Sequence, residues 1–402
     1  MRSKILWYAH WLLTLLSLPF VVWAEPHVVN STIPAPLTKQ PGDPERGRHI
    51  VLDRDQGDCT VCHAMPLPQR QFHGTVGPPL DGIGLRSTSA ALRLRLVDPK
   101  VLNPQTVMPA YYKTTGLRRV LAQYAGKPIL SAQEIEDVVA YLLTLKSPFS
   151  ESQTPALQLH PPEESQYRVD GRRSGYTYLS EENQRLQNDE FANPGLLWVE
   201  QGKRLWGKVD GLAQKSCAAC HGEATTSMRG VRTRYPRFDE RTGKLMNLEQ
   251  QINRCRTEHL QTESYPYESE DLLALTTFVG FQSRGMPLAV RIDGPVQPFF
   301  AAGRTFFLQR RGQLDLACTH CHDLNAGQRL RGDVVSQGQG NGFPIYRHTW
   351  QTLGSIQRMF VWCNAAVRAQ PLPYGADGYV NLELYMAWRA RGLPIETPAV
   401  RR

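Results

Sequence analysis

Cys59-Thr-Val-Cys62-His63, Cys217-Ala-Ala-Cys220-His221 and Cys318-Thr-His-Cys321-His322 are three copies of one five-residue pattern, and their reading decides the fold. In C-x-x-C-H the two thiols can add across the vinyl groups of a porphyrin, and the adjacent histidine comes round on the same turn to ligate its iron. A single copy could equally be a redox dithiol or half a zinc site. Zinc sites pair such motifs at short separations, whereas the first two copies lie well over a hundred residues apart and the last two about a hundred. The pattern therefore predicts three covalently attached c-type haems. Cys59, Cys62, Cys217, Cys220, Cys318 and Cys321 would hold them, with His63, His221 and His322 on the irons.

Working outward, a Gly-basic pair precedes each motif in an amphipathic stretch: Gly47-Arg48, Gly202-Lys203 and Gly303-Arg304. The second and third glycines both stand 15 residues before their first motif cysteine, which points to internal duplication. Helical patterns carrying an aromatic residue close the three segments: 131–146 with Tyr141, 269–282 with Phe278, and 379–391 with Tyr385. Ser131 and Glu134 form a capping box at the start of the first. A small residue on a first helix lets a last helix cross closely, with an aromatic in the contact. The expected fold is all-α, three cytochrome c-like haem domains in tandem. They would span 25–146, 191–287 and 288–402, with a linker over 147–190 whose stretch 147–166 is rich in Ser, Pro and Glu. The boundary between the second and third, near Gly285 to Pro295, is short, so these two should share an interface.

Residues 1–24 read as a secretory signal peptide: Arg2 and Lys4, an apolar run from Ile5 to Trp23, and small residues at Val22 and Ala24 before Glu25-Pro26. The alternative is an uncleaved anchor, since the run is nearly long enough to span a bilayer. Export fits haem attachment outside the cytoplasm and predicts a periplasmic protein with no stable membrane insertion after cleavage. The 402 residues suffice for two or three domains, and 41% apolar residues exclude a mostly disordered chain. Lysine and arginine exceed aspartate and glutamate by 46 to 37. That excess suits small anions or an acidic partner; being spread along the chain, it gives no basic run for nucleic acid.

The ligand opposite each histidine sets whether a haem carries electrons or does chemistry. Met65 is too close to His63 to reach the other haem face. Met108, in Val107-Met108-Pro109, is the expected sixth ligand of the first haem, which its sulfur would make a high-potential exit. The second and third segments each hold one further cysteine. Cys255 lies 34 residues after His221, and Cys363 lies 41 after His322. Two readings stand side by side: paired thiolate ligands, or a disulfide between two leftover cysteines of an exported protein. Met246 and His259, and His348 and Met359, are the other ligand candidates.

These residues together resemble the SoxXA cytochromes of bacterial sulfur oxidation. Residues 58–146, with CTVCH, Gly77-Pro78-Pro79-Leu80 and VMPAYY, are similar to the monohaem SoxX subunit. Residues from about 196 to 402 are similar to dihaem SoxA, most strongly in Cys363-Asn364-Ala-Ala-Val-Arg368-Ala, Tyr379-Val-Asn-Leu-Glu383 and the 392–401 stretch. The departure is fusion, since SoxX and SoxA are normally separate chains. The resemblance implies that Cys255 and Cys363 are haem ligands and that Cys363 sits at the active-site haem, able to carry an extra sulfur. It implies thiosulfate as substrate, the carrier protein SoxYZ as partner and a small cytochrome c as electron acceptor. It also implies an arginine shortly before the ligand cysteine that helps bind thiosulfate. Position 359 is methionine here, so the role falls to Arg358 or Arg368. Other classes remain open on the residues: a thiosulfate dehydrogenase forming tetrathionate, or a non-catalytic electron carrier.

Overall fold

The computed structural model describes residues 26–147 and 165–402. The expected leader and residues 148–164 of the expected linker lie outside them. Helices make the frame, and the strands are two or three residues long. In the N-terminal segment, Pro44–Leu52 and Ala132–Thr144 cross, and Ser89–Val97 packs beside the latter. The Ser131–Glu134 capping box forms in both directions: Ser131 Oγ accepts from the Glu134 N–H at 3.3 Å and Glu134 Oε2 from the Ser131 N–H at 2.7 Å. Leu94, Leu130, Ile135 and Val138 fill the core between these helices. Arg93 and Glu136 are buried there as a forked ion pair, Nε–Oε1 2.7 Å and Nη2–Oε2 2.9 Å.

The same crossing recurs twice. Leu196–Gly207 crosses Glu270–Phe281, and Gln297–Leu308 crosses Asp377–Arg389. The three glycines singled out in the sequence sit at the three crossings. A Cβ on Gly47 would lie 2.0 Å from the Asp137 carbonyl oxygen, one on Gly202 2.2 Å from that of Ala274, and one on Gly303 2.0 Å from that of Asn381. Backbones this close exclude any side chain. Tyr141, Phe278 and Tyr385 are the aromatics buried nearby.

The second and third segments share a seam. Leu245 of the second packs with Val296, Val380 and Leu384 of the third in one apolar cluster across it. Main-chain bonds join Gly285 and Met286 to Ile395. The structure differs from the linker expectation over 165–190. Here the chain forms a small hairpin, Arg168–Val169 with Arg172–Arg173, and a helix, Glu181–Asn188. Ser174, Thr177, Tyr178 and Gln187 are buried, and Gln187 bridges Glu396 and Arg401. Ser174 and Gln187 make side-chain hydrogen bonds to the C-terminal segment.

The N-terminal segment docks on the third. Leu121 N–H donates to the Arg368 carbonyl, Gly312 N–H to Arg118, Arg331 N–H to Val61 and Thr75 N–H to Arg329. Lys100 pairs with Asp315 at 3.6 Å, and Arg331 pairs with Asp58.

Candidate functional site

Each C-x-x-C-H motif is wound into one helical turn: Cys59–Val61, Cys217–His221 and Cys318–His322. That turn is what brings both cysteines and the histidine to one side. His63 Nδ1 lies 2.7 Å from the Pro78 carbonyl oxygen, and His322 Nδ1 lies 2.8 Å from that of Ser336. A carbonyl only accepts, so each Nδ1 carries the proton and each Nε2 keeps its lone pair for a metal. Gly77 and Gly338 lie flat against these rings: a Cβ would come within 2.3 Å of His63 and 2.8 Å of His322.

In the second segment Cys217, Cys220, His221 and Cys255 line a cavity of about 910 Å3. Leu248, Ile252, Leu275, Val279 and Val296 give it apolar walls. Cys255 ends the Leu248–Cys255 helix, where the chain widens into the π-helical turn Arg256–Leu260, and its sulfur accepts from Gln251 Nε2 at 3.3 Å. Of the other ligand candidates, His259 lies on the cavity rim, while Met246 is buried in the Lys244–Met246 strand. An apolar slot bounded by two attachment thiols, a histidine and a further cysteine fits a covalently held haem.

Cys363 lies in the Ile356–Ala366 helix. Burial pushes its thiol up to about 12; the nearby Cys318 and Cys321 sulfurs add to this, and Arg347 opposes it. Cys255, by contrast, acts on Cys217. Each extra cysteine thus belongs to its own motif. All eight cysteines are free thiols, with no disulfide between 255 and 363.

Met359 shares a helix face with Cys363, one turn earlier, and His348 Nε2 faces Asn183 Oδ1 at 3.2 Å. Met108 packs, half-buried, against the core that also holds Cys59. Met65 is buried in that core, its N–H donating to His73. Burial also pushes Cys62 up to about 12, and the next contributor is Cys321, which sets the first and third motifs side by side.

The two arginines named from sequence have partners elsewhere. Arg368 bonds Gln313 Oε1 at 2.7 Å and the Asp55 carbonyl at 2.6 Å, and stacks on Tyr124. Arg358 stacks on Trp350, bonds the Leu353 carbonyl and lies 3.9 Å from Glu268. The cation whose charge reaches Cys363 is Arg347, 16 residues earlier on a strand. Sequence reasoning missed it, yet a signal was available. The cis Tyr235-Pro236 and Phe343-Pro344 bonds, the strands starting at 237 and 345, those starting at 244 and 352, the caps Asn247 and Ser355, and Cys255 and Cys363 all recur at one spacing of 108 residues. In that register Arg347 stands where Asp239 stands in the second segment.

Residues 44–146 match the cytochrome c family, and residues 201–288 match the family described as SoxA/TsdA, cytochrome c domain. The L-cysteine S-thiosulfotransferase subunit SoxA of Pseudaminobacter salicylatoxidans is 40% identical over 230 residues, 57% of this chain and 80% of that one. That of Rhodovulum sulfidophilum is 40% identical over 234 residues, 58% and 82% of the two chains. The SoxXA crystal structure from P. pantotrophus superposes with a TM-score of 0.56 at 38% identity, covering 57% of this chain and 87% of that one. No helix among the described residues is long and apolar enough to cross a membrane.

Proposed function

Since this chain belongs to the SoxXA-type family of c cytochromes, we propose that it joins thiosulfate to a cysteine of the carrier protein SoxYZ, as a fused SoxX–SoxA in the periplasm. It is an L-cysteine S-thiosulfotransferase, a c-type cytochrome acting in sulfur oxidation. The observation that carries the carrier reaction is the placing of Cys363 beside Cys318 and Cys321, apart from Cys255 and free of any disulfide.

Three haems would be held at Cys59/Cys62, Cys217/Cys220 and Cys318/Cys321. His63 with Met108, His221 with Cys255 and His322 with Cys363 would ligate the three irons. When bound, the haems supply one-electron acceptors and a metal that keeps a coordinated thiol deprotonated. The chain's own residues do the rest. The Cys363 sulfur forms an S–S bond to the outer sulfur of thiosulfate, and two electrons leave. The carrier thiolate then attacks that outer sulfur and releases Cys363 as thiolate. The net change is one carrier thiol and one thiosulfate converted to one cysteine S-thiosulfonate, with one proton and two electrons given to a small cytochrome c. Docking of the first motif against the third supports an exit through the N-terminal segment. The haem at Cys217 and Cys220 has no assigned step.

Replacing Cys363 by Ala or Met is expected to abolish conjugation while all three haems stay attached. Full conjugation by either variant would remove the role. Assaying products with and without SoxYZ separates this reading from a dehydrogenase, which would make tetrathionate without a carrier, and from an electron carrier, which would turn over no thiosulfate.

A further inference from the structure

The 108-residue duplication allows the two cysteine-bearing halves to be compared position by position. Beside Cys255, Asp239 on the strand and Arg254 on the helix form an ion pair, Oδ2–Nη1 3.0 Å. The matching positions beside Cys363 are Arg347 and Trp362. The acid has become a guanidinium and its partner an indole. Arg347 is 9% exposed, and its guanidinium carbon stands 4.2 Å above the Trp362 ring. Its Nε bonds Thr349 Oγ1 at 2.9 Å, and Nη1 lies 3.6 Å from Met359 Sδ, one helical turn before Cys363. Among the described residues no carboxylate lies within ion-pair distance of it. Asp333, the acid whose charge it feels, sits 3.5 Å from Arg402.

A buried cation without a counter-ion is costly, and the other half of this same chain shows the neutral alternative. Arginine stays charged when buried, keeps N–H donors beyond the two contacts above and forks onto oxyanions. The indole face fixes its plane. Trp362 is 45% exposed, so the guanidinium lies against a side chain that reaches solvent.

We propose that Arg347 is the anion-binding residue of the Cys363 site, holding the sulfonate oxygens of thiosulfate so that the outer sulfur meets Cys363. This rests on the transferase reading for its choice of anion, and it moves the substrate-binding role from Arg358 and Arg368 to a residue outside the cysteine helix.

The test is equilibrium dialysis of radiolabelled thiosulfate against the haem-loaded full chain at fixed ionic strength. R347Q should weaken binding on the order of 10- to 100-fold, the loss expected for charge-assisted hydrogen bonds. R347K, keeping charge without the fork, should fall between. Should R347Q fail to load haem, W362E decides: it leaves Arg347 in place but gives it the acid that the other half has, and should weaken binding as much. Binding within twofold of wild type in a folded R347Q, or in W362E, overturns the proposal. Thiosulfate binding that depends on Arg347 in a protein that conjugates nothing would keep this inference and remove the transferase reading. Wild-type conjugation with R347Q binding unchanged would do the reverse.

Discussion

A thiol with desolvated surroundings keeps its proton, and half-buried Cys363 is such a thiol: burial first, then Cys318 and Cys321, push it up to about 12. A reactive sulfur there needs a metal or a cation, and Arg347 is the cation whose charge reaches it. Charge placement also governs the N-terminal core. Arg93 has Glu136 as its forked partner and the Ile33 carbonyl as a third contact at 2.6 Å. Truncating Glu136 to Ala would strand that guanidinium. We expect a loss of about 3–5 kcal/mol, read by denaturant unfolding of the N-terminal segment. A loss below 1 kcal/mol would mean that water reaches the arginine. Single residues were partly legible in the sequence. The six cysteines and three histidines of the C-x-x-C-H motifs stand out by spacing, whereas Arg347 carries no local motif and is visible only through the duplicated register.

At the scale of elements, the helix crossings depend on glycine because carbonyl oxygens occupy the space a side chain would need. Gly303→Ala should force Gln297–Leu308 away from Asp377–Arg389, costing about 1–3 kcal/mol and lowering the melting temperature. An unchanged melting temperature would contradict the crossing. These crossings were legible because the Gly-basic pairs recur before each motif. The elements over 165–190 were not legible, since Ser, Tyr, Gln and Arg in a polar run read alike in a linker and in a buried hydrogen-bond network.

The seam between the second and third segments holds two buried carboxyls, Glu249 and Glu383, with Arg232 and Tyr267 nearby. Burial raises Glu383, the Glu249 charge adds to it, and Asn247 and Gln357 hydrogen bonds oppose. In the unfolded chain this carboxyl loses its proton in the ordinary range, while in the fold it keeps it. The folded state therefore holds more protons, and stability falls as pH rises through that window. E383Q, whose amide oxygen can accept the same two bonds, should remove this loss. Its melting temperature should exceed wild type by a margin that grows from mildly acidic to mildly alkaline buffer; a constant or shrinking margin would refute the assignment.

Over the whole molecule, the N-terminal segment is bound to the third by main-chain bonds at several points as well as by Arg331–Asp58 and Lys100–Asp315. Residues 26–147 and 165–402, produced as two exported chains, should copurify, and Arg331→Glu should weaken that association at least tenfold. Failure of the unmutated halves to associate would make the contact dependent on the tether. The order of the three motif-bearing segments was legible from motif spacing. Which motifs lie side by side was not, because the docking surface is built from carbonyls and scattered arginines with no sequence period.

The central claim is that Cys363 faces its own haem as a ligand, and electron paramagnetic resonance of the oxidised protein tests it most directly. Two low-spin histidine–thiolate species beside one histidine–methionine species are expected, with one thiolate species lost in Cys363→Met. A wild-type spectrum lacking thiolate signals, or unchanged by that substitution, would contradict it.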